Sequence, residues 1–165
     1  MIISASRRTD IPGFFVDWFM DRIREGYFTS VNPFNRSQHK VVSLKPEDVD
    51  CIIFWTKYPA PLLDQLPILD ELGYRYYFQF TLNDYPDLFE PKVPPLPLHL
   101  DVFRELSEKI GKEKVIWRYD PIILSNLTSS EYHMEKFDYL TEHLTPYTDR
   151  VIISFWIYTE KLSPN

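Results

Sequence analysis

Apolar positions along this chain gather into five continuous runs, and the segments between them carry helical periodicity. The runs are "MIISAS", "CIIFWT", "YRYYFQFTL", "VIWRY" and "RVIISFW". Short continuous runs of this kind are those of strands buried on both faces of a parallel sheet. After the first run, "TDIP" predicts a turn with Pro12 near a helix start. Residues 14–25 then place Phe15, Trp18, Phe19 and Ile23 on one helical face, with Gly26 as the stop. "YFTSV" predicts a short strand, "NPFNRSQHKVVSL" a loop with a brief extended piece, and "KPEDV" a turn.

Further on, "PAPLLDQLPILDELG" predicts one helix kinked at Pro67, because Leu62, Leu63, Leu66, Leu69 and Leu72 recur at helical spacing. "LHLDVFRELSEKIG" predicts a helix ending at Gly111, and "TSSEYHMEKFDYLTEHL" a helix capped by Thr128 or Ser129. "NDYPDLFEPKVPPLP" is a proline-broken loop of the length that lids and binding segments have.

Strands separated by helices imply right-handed crossovers and an α/β fold with a parallel sheet. Two architectures fit the repeats: an open doubly wound sheet, or the first part of a barrel. No glycine-rich phosphate loop follows any strand, which argues against a dinucleotide-binding domain. No helix matches the fifth strand. The expectation is therefore an incomplete TIM-like barrel of about five strands in consecutive order, as a single domain over residues 1–165 and the N-terminal part of a longer barrel.

Composition narrows the partners. With 165 residues, 44% of them hydrophobic and 16% aromatic, the chain can bury a sizeable core. Its net charge of -6 argues against nucleic acid or an anionic membrane surface as partner. No apolar run approaches the roughly 20 residues that span a bilayer, and no targeting signal opens the chain, so a cytoplasmic location is expected. The acidic excess is uneven: through Tyr58 there are 8 basic against 7 acidic residues, and 10 against 17 thereafter. A local cationic site in the first third is compatible with the total. Cys51, the lone cysteine, reads as a small buried hydrophobe.

Chemistry is expected where the strands end, because parallel α/β folds bind ligands at the carboxyl ends of their strands. Arg7, Arg8 and Asp10 follow the first run, and Thr56 and Lys57 close the second. Gln79, Thr81 and Asn83 alternate on one side of the third, Arg118 and Asp120 on one side of the fourth, and Ser154 lies in the fifth. Arg118 has two readings: an internal ion pair with Asp120 or Asp10, or direct contact with an anionic ligand. Asp10 and Asp120, with Lys57, are the candidates for proton transfer, and the remaining residues are candidates for ligand binding. "NPFNRSQHK" reads as a solvated connector or a phosphate loop. The four histidines form no metal-binding spacing.

The segments "SRRTDIP", "FWTKYP" and "WRYDPI", with "NPFN" and "FQFTLNDY", resemble an uncharacterised bacterial family catalogued as a domain of unknown function. What that resemblance implies is a barrel protein roughly twice this length. Its C-terminal region would carry a cysteine cluster like that of radical S-adenosylmethionine enzymes, and this chain would match only the N-terminal part. An iron–sulfur cluster and S-adenosylmethionine are then expected only with that further region, and no cofactor is expected in this chain. On this reading the chain supplies the substrate- or anion-binding part of such an enzyme. The alternatives are a non-enzymatic binder of a phosphate- or carboxylate-bearing small molecule, and a cluster-independent lyase or hydrolase. The strand at 151–156 presents an open edge, so self-association or pairing with a C-terminal half is expected there.

Overall fold

The computed structural model describes residues 1–6, 9–32 and 34–156. In chain order they form β1 (Ile2–Ser4), α1 (Ile11–Phe14), α2 (Val16–Glu25), β2 (Tyr27–Asn32), β3 (Asn35–Ser43), β4 (Cys51–Thr56) and α3 (Ala60–Leu63). There follow α4 (Leu66–Glu71), β5 (Tyr76–Thr81), α5 (Leu96–Ile110), β6 (Val115–Ile122), α6 (Ser130–Leu144) and β7 (Val151–Phe155). The strands β1, β4, β5, β6 and β7 lie side by side in that order, and every pairing is parallel. These are the five apolar runs. The order never reverses, so the sheet is not doubly wound.

The core shows which face the helices cover. Phe19 of α2 meets Phe54 edge-on at 5.4 Å, Phe103 of α5 lies 5.1 Å from Phe80, and Phe137 of α6 stacks on Trp117 at 5.1 Å. Phe54 pairs in register with Phe78, and Phe80 with Trp117, so these rings share one face of the sheet. Consecutive parallel strands with right-handed crossovers place every helix on that same face, as in a barrel wall. The fold is α/β, an incomplete TIM-like barrel. Alternation sends Ile53, Trp55, Tyr77, Gln79, Ile116 and Arg118 to the opposite, concave face. None of the described helices is long and apolar enough to cross a membrane.

The helix ends follow local rules. Gly26 takes a left-handed φ of 76° and closes α2, donating its N–H to Arg22 and Ile23 carbonyls. Ser129 rather than Thr128 caps α6, accepting a bond from the Tyr132 amide at 3.3 Å. Thr128 instead donates its hydroxyl to the Ile123 carbonyl at 2.6 Å and holds the preceding turn.

Three expectations need correction. The helix through Pro67 is two short helices, parted at Asp64 and Gln65; Pro67 sits in the first turn of α4, where its missing N–H removes no bond. In α2 the buried face is Phe19, Met20 and Ile23, while Phe15 and Trp18 are exposed. The connector "NPFNRSQHK" enters β3, which pairs antiparallel with β2 as a separate two-stranded ribbon. His39 stands on that ribbon opposite Val31, exposed, and Lys40 opposite Ser30.

Candidate functional site

Two polar networks form where the strands end. The first ties the start of α1 to the end of β4. Asp10 caps α1, its Oδ1 accepting the Gly13 amide at 2.9 Å. Its Oδ2 accepts the Thr56 hydroxyl at 2.9 Å and the Lys57 amide at 2.8 Å. Thr56 Oγ1 in turn accepts the Tyr58 amide at 3.0 Å. With both oxygens already engaged by three donors of the fold, this carboxylate suits a capping group better than a general base. Thr56 is buried and pairs in register with Phe80, so it faces the helices and not the concave side. The Lys57 ammonium leaves this network and pairs with Glu90, in the loop after β5, at 2.5 Å.

The second network lies on the concave face. Arg118 donates through Nε to Asp120 Oδ1 at 2.9 Å, through Nη2 to Asp120 Oδ2, and through Nη1 to Gln79 Oε1 at 2.5 Å. Ser154 Oγ donates to Asp120 Oδ2 at 3.3 Å from β7. The guanidinium carbon stands 4.5 Å from the centroid of the Trp55 ring, a cation–π contact from β4. Four strands therefore hold one arginine. Thr81 pairs in register with Arg118 on the same face. Asn83 follows β5 and donates to the Asp120 carbonyl at 2.9 Å, while its own Oδ1 is buried without a partner.

Among the sequence candidates, Gln79, Arg118, Asp120 and Ser154 are thus brought into one cluster, with Thr81 beside them. Asp10, Thr56 and Lys57 belong to the neighbouring one. Arg7 and Arg8 lie outside the described residues. The internal ion pair with Asp120 is present, and three of the five guanidinium N–H groups are spent on it and on Gln79.

Sequence reasoning missed Trp55, Glu90 and His99. Trp55 was within reach: in "CIIFWT" it alternates away from Phe54, and Phe54 is the residue under the helices. Glu90 carries no signal, because its pairing with Lys57 depends on the path of a long loop. His99 lies on α5 beneath that loop, buried between the rings of Tyr58 and Phe80, each 6.0 Å away. Its Nε2 has no hydrogen-bond partner. Burial, helped by the nearby Lys57 charge, pushes its pKa down to about 4, so the ring is neutral at physiological pH.

The other histidines have plain duties. His133 is buried, with Nδ1 against the Tyr119 hydroxyl at 2.8 Å and Nε2 against the Ile123 carbonyl at 3.0 Å. His143 Nδ1 lies 2.8 Å from the Tyr139 carbonyl of its own helix. Cys51 is half-buried, and burial raises its thiol pKa, as expected of an inert side chain.

A family profile described as "Domain of unknown function (DUF1848)" matches residues 2–165. The chain belongs to this family. No curated protein and no solved structure matches it. The DUF1848 match corrects the resemblance drawn from the motifs. It runs over residues 2–165, essentially the whole of this chain. Among the described residues no group of three or more His, Cys, Asp or Glu side chains is placed to hold a metal ion. The likeness to a cysteine-cluster enzyme of the radical S-adenosylmethionine type is withdrawn with it.

Proposed function

We propose that this chain binds a small molecule bearing phosphate or carboxylate on the concave face, at the carboxyl ends of β5, β6 and β7. The observation that carries the reading is the fixing of Arg118. Asp120 grips one edge of its guanidinium, Gln79 takes one further N–H, and Trp55 supports its plane. Two N–H groups remain, one on each terminal nitrogen, in a fork whose position is set before any ligand arrives. A preorganised guanidinium on a strand end is a device for recognising a planar or tetrahedral oxyanion, and its rigidity lowers the entropy lost on binding. Thr81 stands on the same face, and its hydroxyl completes the hydrogen bonds.

Calorimetric titration of the protein with inorganic phosphate, and separately with a dicarboxylate, tests this. Arg118→Ala is expected to weaken binding about tenfold or more, and Arg118→Lys to restore only part of it, since an ammonium lacks the fork. His39→Ala, on the exposed β3, is expected to leave binding unchanged. Unaltered anion affinity in Arg118→Ala, together with a sharp fall in thermal stability, would make the arginine purely structural.

The outer edge of β7 supports a second copy of this chain as partner. Among the described residues that strand ends the sheet, and Ile153 and Phe155 are 53% and 61% exposed. Exposed apolar edge strands are normally paired or covered. Light scattering on the eluting protein is expected to give twice the chain mass, reduced to a single mass by Ile153→Glu. A wild-type chain that stays monomeric at high concentration sinks this pairing.

A further inference from the structure

The concave face changes character along its strands. In the pairings across the sheet, Ser4, Ile53 and Tyr77 form one row, and Trp55, Gln79 and Ile116 the next. Beyond them come Thr81 and Arg118 on paired strands, then Asp120 and Ser154, joined by a hydrogen bond. Polar and charged groups gather towards the carboxyl ends, apolar ones lie further down, and Trp55 stands on the boundary. Resting on the reading that Arg118 receives an oxyanion, we propose that the ligand carries that oxyanion on an aromatic ring, and that Trp55 selects the ring.

Exposure is the first sign. Tryptophan is well buried on average, and large apolar side chains left open are informative where they adjoin one another. Trp55 is 37% exposed, and Ile2, further down the same face, is exposed as well. Ile53 and Tyr77 are half-buried between them. The neighbouring strand β1 presents Ser4 here, a side chain too small to cover an indole. This apolar surface runs up to the guanidinium without a break, so a ligand seated on Arg118 has it for a floor.

The second sign is the cation held against the ring. The guanidinium carbon lies 4.5 Å from the indole centroid, with Asp120 on one edge of the guanidinium and Gln79 on a terminal nitrogen. Arg118 and Trp55 therefore act as one platform. The remaining N–H groups point outward in the guanidinium plane, and a π surface lies next to them. An oxyanion in the fork brings whatever is bonded to it within reach of the indole.

The three kinds of substituent gain differently. An aromatic ring adds offset-stacked or edge-to-face contact with Trp55, and its π electrons meet the same cation. A saturated ring adds only buried area. A bare phosphate adds neither. Tyr77, diagonally adjacent to Trp55 on β5, continues the aromatic floor. The ligand class that uses every part of this surface is an aryl or heteroaryl phosphate or carboxylate.

Calorimetric titration with inorganic phosphate, phenyl phosphate and cyclohexyl phosphate tests the assignment. The two esters share their charged group and carry six-carbon rings of similar area, one flat and one puckered. Phenyl phosphate is expected to bind the wild-type protein about tenfold more tightly than cyclohexyl phosphate, and inorganic phosphate to bind most weakly. Trp55→Leu is expected to bring the two esters to equal affinity. Any loosening of Arg118 in that variant weakens both esters alike and cancels in their ratio. Equal affinity of the wild type for the two esters, with inorganic phosphate still bound, overturns the aromatic ring and leaves the oxyanion site standing. A phenyl preference that survives Trp55→Leu overturns the role of Trp55. Failure of all three ligands to bind removes the oxyanion site and this inference with it.

Discussion

Asp120→Ala is expected to destabilise the protein by about 3–5 kcal/mol, read as a fall in the urea midpoint with little change in slope. The pair it breaks is nearly enclosed: the Arg118 and Asp120 side chains are 16% and 9% exposed. Both carboxylate oxygens bind the guanidinium, so alanine leaves a largely dehydrated cation with one amide oxygen and one indole for company. Ser154 loses an acceptor in the same step.

The double replacement Arg118→Met with Asp120→Leu is expected to recover most of that loss, because removing both charges removes the desolvation penalty together with the attraction. Recovery stops short of completion, since buried Gln79 then lacks the donor that satisfies its oxygen. A loss below about 1 kcal/mol in Asp120→Ala would place the pair among solvent-screened surface bridges, and the preorganisation of Arg118 would go with it.

The second large effect is acid sensitivity centred on His99. In the unfolded chain its imidazole takes a proton near pH 6.5, whereas in the folded protein it resists protonation until about pH 4. Between those values the unfolded state holds more proton, so stability falls as the pH falls. The loss is complete below the folded value and reaches about 3 kcal/mol. The cause is burial first and the Lys57 charge second, with the Asp84 carboxylate opposing both. Urea unfolding at a series of pH values is expected to show this slope in the wild type and a flatter one in His99→Phe. Carboxylates titrate in the same range in both proteins, so the difference between the two curves isolates the histidine. Parallel curves would mean that the ring already takes its proton in the folded state.

What could be read from the sequence follows from which forces act locally. The five sheet strands were legible because each is a continuous apolar run, buried on the helix side by Phe54, Phe78, Phe80 and Trp117. Their consecutive order followed from the alternation with helices. In the β2–β3 ribbon, β2 was legible as the strand "YFTSV", but the length of β3 and its pairing with β2 were not, since solvent reaches most of β3 and a strand such as "NRSQHKVVS" shows no alternation to detect.

Site residues divide the same way. Gln79, Arg118 and Asp120 could be grouped from the period of two within single strands. Thr56 was assigned to the rim because it ends an apolar run, yet its hydroxyl is turned towards Asp10 on the helix side. Glu90 and His99 reach their partners only through the three-dimensional path of the loop between β5 and α5. No spacing in the chain encodes that path.

The contact between Arg118 and Trp55 has an optical consequence. Indole emission depends on the charges held against the ring, and here a single guanidinium stands 4.5 Å from its centroid. Trp55 is also 37% exposed, so its excited state senses both water and the cation. Any change in the charge or position of Arg118 is therefore written into the fluorescence of this protein without a dye, because the side chain that holds the guanidinium in place is also a chromophore.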